Sequence, residues 1–77
     1  MKKTIQNEYL EATVNSRGAE LCSLKDRDGV EYIWQADPDI WPRHAPILFP
    51  IVGELVEHTY RYGGKSFAMP RHGFARD

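Results

Sequence analysis

The sequence has little of what usually stabilises a small protein. Cys22 is its single cysteine, so no disulfide can form within the 77 residues. Seventeen residues are Leu, Ile, Val or Phe, a fraction only slightly above that of disordered chains. A chain of this length buries only about 60% of the surface of its unfolded state. We therefore expect one small domain with a thin core, and the lone thiol is typical of a reducing, cytoplasmic setting.

The features of secreted, membrane and nucleic-acid-binding proteins are also missing. No apolar run follows Lys2 and Lys3, which argues against a signal peptide. The longest apolar stretch, residues 46–52, is less than half of the roughly 18 residues that a membrane span needs. The formal net charge is -1, without the strong basic excess of nucleic-acid-binding domains. We therefore expect neither a membrane nor a nucleic acid as a partner.

Short alternations of apolar and polar residues, separated by turn sequences, predict β-strands. The Asp-Arg-Asp-Gly sequence at 26–29 and the Gly-Gly pair at 63–64 are typical of hairpin turns. The pattern predicts six or seven short strands, among them residues 10–14, 19–25, 30–34, 59–62 and 65–68. The expected fold class is all-β, with antiparallel strands and hairpins.

Between the predicted hairpins lies a region that is not typical of strands. Residues 37–46 contain three prolines and predict an ordered loop or a single helical turn. Asp37 and Asp39 flank Pro38, so we interpret them as turn-forming residues rather than as a catalytic carboxylate pair. Residues 47–53 are apolar without alternation, which is typical of a segment buried on both sides. Because 77 residues offer little to cover that segment, we expect its packing partners to be missing from this chain.

The chemically richest segment follows residue 70. In an extended backbone, His72, Phe74 and Arg76 would share one face. An imidazole exchanges protons near neutral pH, and a guanidinium can grip neighbouring hydroxyls or a phosphate. This combination suits an oxygen-rich ligand. The alternative interpretation is a frayed basic terminus with a solvated histidine.

A second candidate is the proline-rich loop, where Trp41 precedes Arg43. An aromatic ring beside an arginine in a rigid loop can hold a sugar by stacking and by forked hydrogen bonds. The alternative is that Trp34 and Trp41 fill the core. The only residues from which a metal site could be drawn are Cys22, His44, His58 and His72. Their spacing fits no compact ligand motif, so we expect no metal.

Four segments together closely resemble the start of the aldose 1-epimerase (galactose mutarotase-like) family, and its bacterial LacX-type branch in particular. They are Gly-Ala-Glu-Leu at 18–21, Tyr-Ile-Trp-Gln at 32–35, Trp-Pro-Arg-His-Ala-Pro-Ile-Leu-Phe-Pro-Ile-Val-Gly at 41–53 and His-Gly-Phe-Ala-Arg-Asp at 72–77. The resemblance implies a large antiparallel β-sandwich that interconverts the α and β anomers of hexoses without a metal or organic cofactor. In that family a Glu acts as general base on the anomeric hydroxyl and a His as general acid on the ring oxygen.

Carried over residue by residue, the resemblance implies that His72 contacts the sugar nearest the reacting centre. It places Arg76 on the same family segment and implies that Arg43 contributes to the substrate pocket for a hexose or hexose phosphate. From its residue type and its place near Arg43, we count Trp41 as a further substrate-binding residue. The family's second His and catalytic Glu would lie beyond Asp77. We therefore expect residues 1–77 to be a single N-terminal fragment, truncated and inactive alone. The alternative is a small non-catalytic module that binds sugars or self-associates through exposed strand edges.

Overall fold

The all-β prediction is confirmed by a computed structural model, which describes residues 1–77 and contains five strands. The strands are β1 (Lys2–Gln6), β2 (Leu10–Asn15), β3 (Glu20–Asp26), β4 (Thr59–Tyr62) and β5 (Lys65–Ala68). Short 3-10 turns occupy Arg17–Ala19 and Val56–His58. The chain divides into a first unit, Met1–Ile47, and a second unit, Leu48–Asp77. None of its helical segments is long and apolar enough to cross a membrane.

The first unit is built on an antiparallel sheet in the order β1-β2-β3. β1 was not predicted, because its five residues are all exposed and mostly polar. This strand exists because each of its residues pairs with β2, from Lys2 opposite Asn15 to Gln6 opposite Glu11. The other edge of β1 is unpaired, and self-association through it stays a prediction.

A β-bulge in β3 buries the only cysteine. Thr13 pairs with Ser23 and Val14 pairs with Leu21, which leaves Cys22 as the extra residue. Its side chain is only 4% exposed, and Sγ donates a hydrogen bond to the Thr13 carbonyl oxygen at 3.3 Å. Cys22 is therefore a small apolar core residue with its thiol already bonded.

The prediction of a strand at residues 30–34 is wrong, because the pairing with β3 is limited to two backbone bonds, from the Asp26 N–H to Val30 and from the Tyr32 N–H to Leu24, and side-chain carboxylates accept the neighbouring N–H groups. Glu31 forms one isolated bridge with Lys25. Its carboxylate accepts hydrogen bonds from the Leu24 N–H at 2.9 Å, the Ile33 N–H at 3.1 Å and the Ser23 hydroxyl at 2.6 Å. The Leu24 N–H on β3 would normally donate to a backbone carbonyl of a neighbouring strand. Here it donates to the Glu31 side chain instead.

The predicted turn at 26–29 is present and is organised by Asp26. Its carboxylate accepts the backbone N–H groups of Asp28 and Val30 at 2.9 and 3.0 Å and the Tyr32 hydroxyl at 2.8 Å. The Tyr32 bond, followed by the backbone donors, lowers the pKa of Asp26, and the Asp26 carboxylate in turn raises the pKa of Tyr32. The Ser23 hydroxyl and the Leu24 N–H likewise lower the pKa of Glu31.

The second unit contains the hairpin predicted at Gly63-Gly64. Strands β4 and β5 pair from Thr59 opposite Ala68 to Tyr62 opposite Lys65. The cross-strand rings of Tyr60 and Phe67 stack with their centroids 5.3 Å apart. After the hairpin, Met69 is buried and its N–H donates to the His58 carbonyl oxygen at 2.8 Å.

A close backbone crossing joins the two ends of the second unit. Phe49 and Gly73 form a parallel bridge, and the Phe49 carbonyl oxygen accepts the N–H groups of Phe74 and Ala75 at 2.9 and 3.1 Å. Gly73 is buried, with φ of +77°, and a Cβ at this position would overlap the Phe49 carbonyl oxygen. Only glycine lets the two backbones approach this closely.

Hydrophobic burial is small throughout the chain. Cys22 and Met69 are the only buried apolar residues, while seventeen large apolar side chains are exposed. Residues 47–53 are not covered within this chain, since Phe49 is 60% and Val52 is 76% exposed, which agrees with the expectation that the 77 residues lack packing partners for this segment. Backbone hydrogen bonds, and not enclosure by side chains, hold this segment in place.

We expect Glu31→Gln to lower the urea midpoint of unfolding at pH 7, because a neutral amide oxygen accepts hydrogen bonds more weakly than a carboxylate. A lowered folded-state pKa gives stability that is present above the unfolded pKa and is lost as pH falls through the folded value. The difference from wild type should therefore shrink below about pH 4. Circular dichroism across pH measures it, with Glu8→Gln as the control of equal charge. A difference that stays constant with pH would contradict the assignment.

We expect Gly73→Ala to destabilise the chain more than Gly64→Ala. The two glycines have nearly the same φ, +77° and +78°, but only a Cβ at Gly73 meets other atoms. Gly64→Ala should cost only the left-handed strain, about 1 kcal/mol. Gly73→Ala should add about 1–3 kcal/mol for moving the backbone. Urea unfolding of both variants gives the comparison, and equal costs would show that the crossing with Phe49 is not a tight contact.

Candidate functional site

The segment that carries His72 is a turn, and the prediction of an extended segment is wrong. The Gly73 N–H donates to the Pro70 carbonyl oxygen at 2.9 Å, and the Asp77 N–H donates to that of Phe74 at 3.1 Å. His72 and Gly73 both have positive φ, +64° and +77°. An alternation of faces along residues 72–76 therefore does not exist. The buried crossing at Gly73 excludes an extended path there.

His72 is held by two hydrogen bonds to a single residue, Gly53. The Gly53 N–H donates to Nδ1 of His72 at 2.8 Å, and the His72 N–H donates to the Gly53 carbonyl oxygen at 2.6 Å. The left-handed conformation of His72 costs about 1–3 kcal/mol for a residue other than glycine. His72 is half-buried, and its Nε2 has no hydrogen-bond partner in the chain. The imidazole is thus rigidly placed, with one nitrogen available for a ligand.

Arg76 lies in the same turn and is incompletely satisfied. One terminal nitrogen, Nη2, donates to the Arg71 carbonyl oxygen at 3.2 Å. Its Nε is buried and has no hydrogen-bond partner. A buried donor without an acceptor is costly, so this guanidinium is suited to an oxygen acceptor from outside the 77 residues.

The predicted loop at 37–46 is an ordered turn that positions Trp41. The N–H groups of Ile40 and Trp41 both donate to the Asp37 carbonyl oxygen, and the Asp37 carboxylate accepts the Asp39 N–H at 2.9 Å. The interpretation as a turn-forming residue is therefore confirmed for Asp37, whereas Asp39 contributes only its backbone N–H. The Trp34 indole N–H donates to the Trp41 carbonyl oxygen at 2.8 Å.

Neither tryptophan is a core residue, since Trp34 is 42% and Trp41 is 46% exposed. Arg43 follows Trp41 and is half-buried. Trp41 and Arg43 thus share the loop of the first unit, while His72 and Arg76 share the turn of the second. That these four residues bind a sugar stays a prediction.

Sequence reasoning missed two features of the site. Gly53 belongs to the segment that carried the family resemblance, but no role was predicted for it, because its contribution is a backbone N–H. The second feature is a half-buried pair in which Nδ1 of His44 lies 3.6 Å from a carboxylate oxygen of Glu20. No sequence spacing indicates this pair, because it arises where Ala45 bridges to Leu21 on β3.

Surface clefts and metal-binding groups do not offer a stronger alternative. Two clefts of about 300 and 270 Å³ flank the β1–β2 turn and contain none of the four predicted site residues. No group of three or more His, Cys, Asp or Glu side chains is arranged to hold a metal ion. The best-defined chemical arrangement in the chain is therefore the 70–77 turn, with a fixed imidazole and a partly unsatisfied guanidinium.

Comparison with known proteins identifies relatives along the whole chain. Residues 1–77 match the sequence model of the family described as aldose 1-epimerase. The chain is 47% identical to the chromosomal protein LacX of Lactococcus lactis subsp. lactis, with 94% of this chain and 26% of that protein covered.

Solved structures agree with this match. A galactose mutarotase-like protein from Lactobacillus casei ATCC 334 has a TM-score of 0.94 at 47% identity, covering 100% of this chain and 26% of its own. A galactose mutarotase related enzyme from Lactobacillus acidophilus has a TM-score of 0.93 at 47% identity, covering 99% and 26%.

The chain spans about a quarter of the length of the relatives that it matches. The match to the family nevertheless extends over every one of its 77 residues. The chain belongs to the aldose 1-epimerase family.

Proposed function

We propose that this chain forms the first part of an enzyme that interconverts the α and β anomers of a hexose, and that it contributes substrate-binding groups. The observation that carries the proposal is the His72 imidazole, which is fixed by Gly53 and has Nε2 unpaired. Family membership supplies the sugar chemistry, and the unsatisfied Nε of Arg76 supports an oxygen-rich ligand beside it.

In the proposed reaction, one set of residues transfers protons and another set positions the substrate. A base takes the proton of the C1 hydroxyl while an acid protonates the ring oxygen, and the bond between C1 and that oxygen breaks. The aldehyde turns about the C1–C2 bond, and the ring recloses with both proton transfers reversed. By resemblance, the base and the acid are residues outside these 77. His72 and Arg76 then donate hydrogen bonds to sugar oxygens. For Arg43 and Trp41, in the first unit, we propose a contribution to sugar binding on the resemblance and the residue types alone.

Positioning alone has limited catalytic power. Groups that bind substrate and transition state equally do not raise the turnover rate, whereas acid and base residues act on the proton transfers themselves. We therefore propose that the isolated chain is inactive and that its residues act within a larger structure of the family.

We expect a graft to show this division. In the graft, residues 1–77 replace the matching quarter of the Lactobacillus casei protein, to which they are 47% identical. Polarimetry with D-galactose, D-glucose and their 6-phosphates should give mutarotation by the graft at a rate comparable to the parent and none above background by the 77-residue chain. A folded graft without activity beside an active parent would contradict the proposal, as would mutarotation by the chain alone.

Within the graft, we expect Arg76→Ala to lower kcat/KM by roughly tenfold to a hundredfold, because a hydrogen bond from a charged group contributes about 1.5–3 kcal/mol. We expect His72→Ala to lower it by about fivefold, the effect of one hydrogen bond between neutral groups. His58→Ala and Arg61→Ala are controls of the same residue types, because both side chains are exposed in the same unit and neither belongs to the 70–77 turn. Initial rates across sugar concentration measure the effect. Equal losses in the variants and their controls would show that His72 and Arg76 do not contact the substrate.

A further inference from the structure

The bond between Gly53 and His72 has a consequence for where the imidazole carries its proton. The Gly53 N–H points at Nδ1 over 2.8 Å, so Nδ1 is the acceptor. A ring nitrogen that accepts a hydrogen bond cannot itself hold a proton. In a neutral imidazole the single proton must then reside on the other nitrogen. The structure therefore fixes His72 as the tautomer protonated on Nε2.

The opposite tautomer is excluded by the same geometry. A proton on Nδ1 would face the Gly53 N–H at hydrogen-bond distance, donor against donor. The His72 N–H donates to the Gly53 carbonyl oxygen at 2.6 Å, and this second bond holds the two backbones at the separation where Nδ1 meets the Gly53 N–H. Gly53 in turn has φ of +87°, a conformation that other residues adopt only under strain.

The position of His72 along the chain is equally restricted. Its neighbour Gly73 is locked against the backbone of Phe49, whose carbonyl oxygen accepts the next two N–H groups. The Gly53–His72 bonds and the Phe49–Gly73 bridge therefore act as two adjacent clamps on one turn. Apart from the imidazole Nδ1 itself, every group in these two clamps belongs to the backbone.

We infer that Gly53 is a positioning residue: its backbone N–H holds His72 in the Nε2-protonated tautomer, so that His72 presents a hydrogen-bond donor and not a base to a hexose oxygen. The donor role rests on the function proposed above. Loss of the Nε2 proton would convert the neutral imidazole into an imidazolate anion. His72 therefore keeps this proton and acts as a hydrogen-bond donor. It stabilises charge on a sugar oxygen while other groups carry out the proton transfers.

Nuclear magnetic resonance of the ¹⁵N-labelled 77-residue chain tests the tautomer without any sugar. The spectra are recorded at a pH above which the imidazole shifts no longer change. We expect Nε2 of His72 to be protonated and Nδ1 to show a coupling to the Gly53 amide nitrogen across the hydrogen bond. His58, which is exposed and has only a carboxylate nearby, should show no such coupling. His72→Asn assigns the signals.

Recording the same spectra on the grafted Lactobacillus casei protein controls for incomplete folding of the 77-residue chain. A protonated Nδ1 would overturn the inference, and so would the absence of the coupling in a graft whose amide signals are well dispersed. Either result leaves the proposed function standing, because a sugar can be bound by the other tautomer.

Two variants of the graft test the donor role. The Asn oxygen of His72→Asn can accept the Gly53 N–H in place of Nδ1, but no atom reaches the position of Nε2. The longer amide of His72→Gln can place an N–H there. We expect His72→Asn to raise KM for the hexose by about fivefold, the effect of one hydrogen bond, and His72→Gln to restore part of that loss. Equal KM values, with the coupling intact in the wild-type graft, would overturn the donor role together with the sugar contact.

Discussion

The second unit depends on the close approach of the Gly73 backbone to the Phe49 carbonyl. Because Gly73 has no Cβ, the apolar segment that contains Phe49 and the turn that contains His72 can lie side by side as a parallel bridge. Once they are side by side, Gly53 comes within hydrogen-bond distance of His72. The left-handed backbone of His72 is then the conformation in which both contacts are made, and their bonds offset its strain.

Alternation and turn residues predicted four of the five strands. They failed where a backbone ladder alone forms a strand and where side-chain carboxylates accept the hydrogen bonds of a predicted one. Strands β2 to β5 were predicted closely because alternation and glycine turns identify them. β1 has no apolar alternation and is stabilised by its backbone ladder with β2, so its composition could not reveal it. The strand predicted at 30–34 looked correct in composition. Instead, the Glu31 carboxylate accepts the Leu24 N–H, where a carbonyl oxygen of a neighbouring strand was expected.

The candidate site was predictable in its residues but not in its geometry. Resemblance to the family selected His72 and Arg76, and the structure places both in one turn. The expected alternation of faces was wrong because it assumed an extended backbone. Gly53 could not be predicted as the partner of His72, since every residue but proline has the same backbone N–H. Only the fold decides which one faces an imidazole.

The His72 imidazole and the Arg76 guanidinium differ in how far the 77 residues satisfy their hydrogen bonds. The orientation of His72 is determined by Gly53 and by the crossing at Phe49, all within the second unit. It therefore needs no apolar cover, which matters in a chain where only Cys22 and Met69 are buried apolar residues. Arg76 is the opposite case, since its buried Nε has no acceptor among the 77 residues. The 77 residues thus fix the orientation of the imidazole, whereas they leave one buried donor of the guanidinium unsatisfied.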